Sequence, residues 1–178
     1  MKKLCIAVIA VAMTHALSAQ TFTLKSNDLG GQFGNTHFGN SFGCTGEGKS
    51  PHLKWENAPK DTKAFAITMF DPDAPTGSGF WHWTVYNIPA NVTELKTDAG
   101  NFSGKNLPEG ALNGGNDAMA PGYIGPCPPP GPAHQYIITV YALKAPIQID
   151  KGATAAYLGF MLNMNTLSKA SIIAYGQR

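Results

Sequence analysis

Three short segments of this chain set ionisable side chains on a stiff backbone, and each has the makings of a site. The first is Asp71-Pro72-Asp73-Ala74-Pro75. Each proline fixes its own φ and pushes the preceding residue out of the helical region, so Asp71 and Ala74 are expected to be extended. Residues two apart on an extended segment face the same side, which would put Asp71 and Asp73 together. Neighbouring carboxylates repel, so one should resist ionisation unless a cation or a hydrogen-bond donor intervenes. The alternative is a proline-rigid turn whose aspartates bond to nearby backbone.

The second segment is Trp81-His82-Trp83, entering an apolar run. A histidine placed this way is either a packed core imidazole or the polar tip of an aromatic-walled pocket. The third is Gly122-Tyr123-Ile124-Gly125-Pro126-Cys127-Pro128-Pro129-Pro130-Gly131, followed by His134-Gln135-Tyr136. Such a loop has few free conformations, exposes backbone groups and delivers His134 to the start of another apolar run; as an alternative it is simply a stiff connector. His82 and His134 both fall where a loop meets a strong strand, and Asp71 and Asp73 lie at a strand end. Convergence of such ends is how β-rich domains build small-ligand pockets.

The elements that must position these residues are mostly strands. Ala64–Phe70, Trp83–Ile88 and Tyr136–Leu143 are the strong core strands, rich in β-branched and aromatic residues and bounded by turn signals. Weaker strands are expected at Thr21–Leu24, His52–Trp55 and Ile172–Tyr175, and residues 25–49 read as irregular, Gly- and Asn-rich loop. Only Lys151 to about Asn165 reads as helix, with Ala155, Leu158, Phe160, Met161 and Leu162 on a broad apolar face. Gly (20) and Pro (13) also favour a loop-rich β fold, and no repeat or composition shift divides the chain.

Length and charge narrow the function. The chain has 178 residues, 13 Lys plus Arg and 11 Asp plus Glu, with 43% hydrophobic and 13% charged residues. That suits one folded domain and excludes both disorder and a nucleic-acid binder working by bulk charge. Met1-Lys2-Lys3, the apolar run Leu4–Met13 and the small residues ending at Ala19 read as a secretory signal peptide over 1–19, too short to span a membrane. A single domain over 20–178 would then be exported, to the periplasm or beyond. Without Lys2 and Lys3 that domain is formally neutral and keeps one arginine, Arg178, so an anion site must rely on histidine, lysine, hydroxyls or backbone N–H groups. Cys5 leaves with the leader. Cys44 and Cys127 remain, and in an oxidising compartment a disulfide is the default reading, with two free thiols as the alternative. No CxxC spacing supports a metal site.

DPDAP at 71–75, HWTVYN at 82–87, GPCPP at 125–129 and HQYIITVYAL at 134–143, with CTGEGKSP at 44–51 and the C-terminal LSKASIIAYGQR, resemble the phosphatidylethanolamine-binding protein family, which includes the Raf kinase inhibitor protein, and in particular its bacterial branch. The resemblance spans most of residues 21–178. It implies a mainly β, sandwich-like fold with one or two short helices and a small pocket for phosphate-type anions or phosphorylated head groups. Carried over position by position, that pocket comprises Asp71, Asp73, Pro75, His82, Gly125, Cys127, Pro128, His134 and Tyr136. Gln135 stands where many relatives carry arginine. The C-terminal helical segment that closes the pocket in the mammalian protein has no clear match.

The expected function is therefore non-catalytic binding of a small anionic or phosphorylated ligand, without a cofactor, by a protein that modulates a partner. Family members inhibit kinases and a serine carboxypeptidase; for an exported protein an inhibitor of a secreted or periplasmic hydrolase is the more natural version. A homodimer is left open. A hydrolase using His82, His134 and Asp71 is the competing class. Against it, Gly77-Ser78-Gly79 lacks the GxSxG spacing and no HExxH occurs. Asn91-Val92-Thr93 and Asn101-Phe102-Ser103 fit glycosylation sequons, which arise often by chance.

Overall fold

The computed structural model describes residues 20–150 and 152–178; the leader expected over 1–19 lies outside the described residues. In chain order the elements are β1 (Thr23–Lys25), β2 (Leu53–Glu56), β3 (Ala64–Asp71), β4 (Phe80–Pro89), β5 (Glu94–Leu95), β6 (Leu112–Asn113), β7 (His134–Leu143), helix α1 (Ala155–Asn165) and β8 (Thr166–Gly176). They form a three-stranded sheet, β1-β2-β5, and a five-stranded sheet, β6-β4-β3-β7-β8. Every pairing between these strands is antiparallel.

An uninterrupted apolar strand must be covered on both faces. β3 meets that demand as the middle strand of the large sheet, where only Phe70 is half-buried. One face turns Phe65, Ile67, Met69, Trp83, Val85, Ile138 and Val140 toward Leu24, Leu53, Trp55 and Leu95 of the small sheet, giving a sandwich core. The other face carries a smaller cluster of Ala64, Ala66, Tyr86 and Leu143 under Leu158 and Leu162 of α1. The mainly β, two-sheet architecture with one short helix is as expected.

Several boundaries differ from the sequence reading. α1 begins at Ala155 because the Thr154 hydroxyl caps it, accepting from the Tyr157 amide. Its buried face is Ala155, Leu158 and Leu162, spaced three and four apart, and Phe160 is 56% exposed on the other side. β8 is much longer than Ile172–Tyr175. It runs straight out of the helix at Thr166 and lies along all of β7. The strands β5 and β6 are two residues each and carry no pattern of their own.

The packing of α1 predicts an asymmetry. Leu162→Ala should cost about 2–5 kcal/mol of unfolding free energy in urea, since it empties a fully buried site. Phe160→Ala should change it by less than about 0.5 kcal/mol.

Candidate functional site

The strand β3 ends by driving the Asp71 side chain into the protein, where the residue is only 2% exposed. A carboxylate there needs donors, and its own turn and the start of β7 supply them. One oxygen accepts the Asp73 amide at 2.8 Å, closing an Asx turn; the other accepts Nδ1–H of His134 at 2.8 Å and lies 3.9 Å from Nε2 of His82. Burial on its own would raise the pKa of Asp71. The neighbouring His82 and His134 imidazoles and the hydrogen bond from the Asp73 amide outweigh it and hold the carboxyl below its ordinary range.

The Asx turn also decides where Asp73 goes. The 71–75 segment forms the proline-rigid turn that was the alternative to an extended path, and it leaves Asp71 buried and Asp73 exposed. Asp73 is exposed and accepts the Gln135 amide at 2.8 Å, which ties the turn to the start of β7. In this way one aspartate orients a histidine and the other fixes the backbone one residue further on. Gln135 meets the turn through its backbone.

His82 reaches the same place through an irregularity in β4. Trp83 pairs with Met69 and Trp81 with Phe70, and the register shift between them leaves His82 as the extra residue of a β-bulge. The flanking tryptophans therefore part company. Trp83 is fully buried in the sandwich core, while Trp81 packs on Phe70 with ring centroids 4.5 Å apart. Neither walls a pocket around His82. Its aromatic neighbours are Phe80 at 4.8 Å and Tyr136 at 5.1 Å between centroids.

Asp71, His82 and His134 meet in a cavity of about 230 Å³, whose wall also includes Pro75, Gly125, Cys127, Pro128 and Tyr136. Eight of the nine expected pocket residues thus share one concavity, and Asp73 stands outside its wall. The sequence reading missed Phe42, Ala74, Thr76, Phe80, Ile124 and Pro129. Of these, Ala74, Thr76, Phe80, Ile124 and Pro129 lie within or beside the three segments it had singled out, and proximity could have suggested them.

Phe42 has no such signal. The disulfide between Cys44 and Cys127, whose Cα atoms are 5.9 Å apart, carries its loop to the cavity from 83 positions away. The expected bridge is therefore formed. Arg178 braces that corner, its Nη1 donating to the Phe42 carbonyl at 3.2 Å and lying within 3.7 Å of both sulfurs. The chain's one arginine sits behind the disulfide and is not in the cavity wall. Gly125 is needed where the loops touch, because a Cβ there would fall 2.4 Å from His37 O and Gly39 N.

Hydrogen-bond partners set the proton positions. Nδ1 of His82 meets the Ile124 carbonyl at 2.9 Å and Nδ1 of His134 meets the Asp71 carboxylate, both pure acceptors, so each Nδ1 carries a hydrogen. Neither Nε2 has a partner within hydrogen-bonding distance among the described residues. Each is a lone pair when its ring is neutral and an N–H donor when it is protonated. Tyr136 is fully buried and its hydroxyl is unpartnered. Burial first, and the charge of Asp71 second, push its phenol far above the ordinary range, so it stays an O–H donor. Among the described residues, no three His, Cys, Asp or Glu side chains are placed to hold a metal ion.

Such a two-sheet fold, with a DPDAP turn and a His-x-Tyr strand meeting at one small hole, defines a class of protein. The family model described as phosphatidylethanolamine-binding protein matches residues 25–177, and the chain belongs to that family. It is similar to the UPF0098 protein YbcL of Escherichia coli, 45% identical over 97% of this chain and 96% of that one. Escherichia coli YbhB is 44% identical over 85% of this chain and 97% of its own. The crystal structure of E. coli YbcL, described as a new member of the mammalian PEBP family, superposes with a TM-score of 0.86, covering 88% of this chain and 98% of that one at 46% identity. The structure of CT736 from Chlamydia trachomatis, a PEBP homologue, gives 0.73 at 26% identity over 88% and 97%.

Asp71 gains its stabilising hydrogen bonds only in the folded, ionised state. With a lowered folded pKa, that contribution is present above the unfolded carboxyl value, near ~4, and is lost as pH falls through the folded one. Asp71→Asn should therefore cost about 1–3 kcal/mol in urea unfolding at pH 7. The deficit should shrink when the same comparison is made below the carboxylate range.

Proposed function

We propose that this protein is an exported, non-catalytic binding protein whose pocket takes phosphate-type anions or phosphorylated head groups, and that it modulates a partner protein. The observation that carries the reading is the pair of unmatched hydrogen-bonding atoms at the cavity, Nε2 of His82 and Nε2 of His134. Polar atoms left without protein partners at a pocket wall call for a ligand, and one with several oxygens would meet both at once. At about 230 Å³ the cavity is smaller than the roughly 300–1,000 Å³ of drug-sized pockets, which suits a head group and leaves no room for acyl chains.

Asp71 selects the charge state. A phosphate dianion beside an ionised carboxylate is repelled, whereas a monoanion donates its own P–O–H to a carboxylate or a neutral Nε2. Protonating either ring turns a lone pair into a charged donor and strengthens the site further. A phosphoethanolamine zwitterion adds an ammonium that an aspartate can meet.

One feature favours binding over turnover. Thr76, the one aliphatic hydroxyl in the cavity wall, donates to the Gly79 carbonyl at 2.5 Å, and neither imidazole hydrogen-bonds it. Export is supported by the basic start and apolar run of the first nineteen residues and by the disulfide. No helix of the described residues is long and apolar enough to cross a membrane.

Calorimetric titration of the protein with phosphate, phosphoethanolamine and acetate between about pH 5 and 8 tests this reading. Acetate is almost wholly ionised above about pH 6, so from there upward its pH dependence reports the protein alone. All three ligands should bind more tightly as pH falls, and His134→Ala should weaken phosphate by about 10–100-fold. A flat acetate profile, or unchanged binding in the variant, would contradict it.

A further inference from the structure

A second cavity, of about 460 Å³, lies between the 112–121 segment and the start of α1, and it shares no wall residue with the first. Its wall is largely apolar, with Leu112, Pro121, Ile149 and Leu158 prominent. Tyr86 forms part of it. That residue is only 5% exposed, its ring packed in the cluster beneath α1. A tyrosine buried to this degree ordinarily finds a partner for its hydroxyl. Here the hydroxyl hydrogen-bonds to none of the described residues, yet it is not sealed off as the Tyr136 hydroxyl is.

The rim is a built structure. Asn116, 5% exposed, accepts the Ala118 and Ala120 amides and donates to the Gly122 carbonyl, and Gly115 bridges to Pro121. This fixes the turn that carries Met119 out at 94% exposure beside the opening. Asp117 and Asp150 also lie in the wall. Two carboxylates there oppose an anion, so the ligand chemistry differs from that of the histidine pocket.

We propose that this cavity is a second ligand site, for a small, uncharged, largely apolar molecule whose single hydrogen-bonding oxygen meets the Tyr86 hydroxyl. Its volume falls in the usual range for small-molecule pockets, and its mix of apolar wall with one buried polar anchor is what orients such ligands. The site is independent of the histidine pocket and stands whether or not that pocket binds anions.

The probe is acetophenone, with benzoate as its anionic counterpart of similar shape, followed by two-dimensional amide NMR of the full domain. Acetophenone should shift Leu112, Gly115, Ala153 and Leu158, and benzoate should bind the same place at least about 5-fold more weakly. Tyr86→Phe, which removes one oxygen, should weaken acetophenone by about 5-fold. Ala153→Phe should block it by filling the cavity from a half-buried wall position. Phosphate should leave these resonances unmoved. The proposal is overturned if acetophenone shifts appear only around His82 and His134 or are scattered, if benzoate binds as well, or if both variants bind like the parent.

Discussion

A carboxylate removed from water has to be surrounded by donors, and the way Asp71 meets that demand organises the functional end of the molecule. Its donors come from its own turn and from the start of β7, and His82 of the β4 bulge stands 3.9 Å away. Satisfying one buried charge therefore locks the turn after β3 to the start of β7. It also chooses the tautomer of His134, while the Ile124 carbonyl chooses that of His82. The pocket's ligand-facing chemistry is a by-product of how its own wall is held together.

The rest of the fold supports that arrangement from behind. β3 and β7 are neighbours in the large sheet, so the ends that carry Asp71 and His134 are brought together by ladder pairing. Phe33 and His82 both pack edge-on against Tyr136, which wedges the buried phenol between core and cavity. The disulfide and Arg178 bring a distant loop to the opposite wall. Family membership fits this picture, since the chain matches the family model over nearly its whole described length.

Much of this was legible in the residues themselves. The strong strands announced themselves because β3, β4 and β7 are buried on both faces and so read as apolar runs. β8 did not, because it alternates half-buried with exposed positions and carries Ser168, Lys169 and Ser171 along its length. His82, His134 and Asp71 stood out by lying at strand ends. The bulge that turns His82 away from its tryptophans was hidden, since a register shift belongs to a pair of strands and leaves no mark on one. The parting of Asp71 from Asp73 was hidden for a related reason: two prolines permit both an extended path and a turn, and the bond from the Asp73 amide to Asp71 and that from Gln135 of β7 to Asp73 decide between them. Phe42 was out of reach altogether, being brought in by a bond 83 positions long in sequence.

The central claim is that Asp71 and the Ile124 carbonyl hold both pocket imidazoles with hydrogen on Nδ1 and present Nε2 to the ligand. Long-range proton–nitrogen NMR correlation of the histidine rings reads this directly. In the ligand-free protein at a pH where the rings are neutral, both should show a protonated Nδ1 and a bare Nε2, and added phosphate should move the two Nε2 signals of His82 and His134 together. A proton found on Nε2 of either neutral ring, or Nε2 signals indifferent to phosphate, would contradict it.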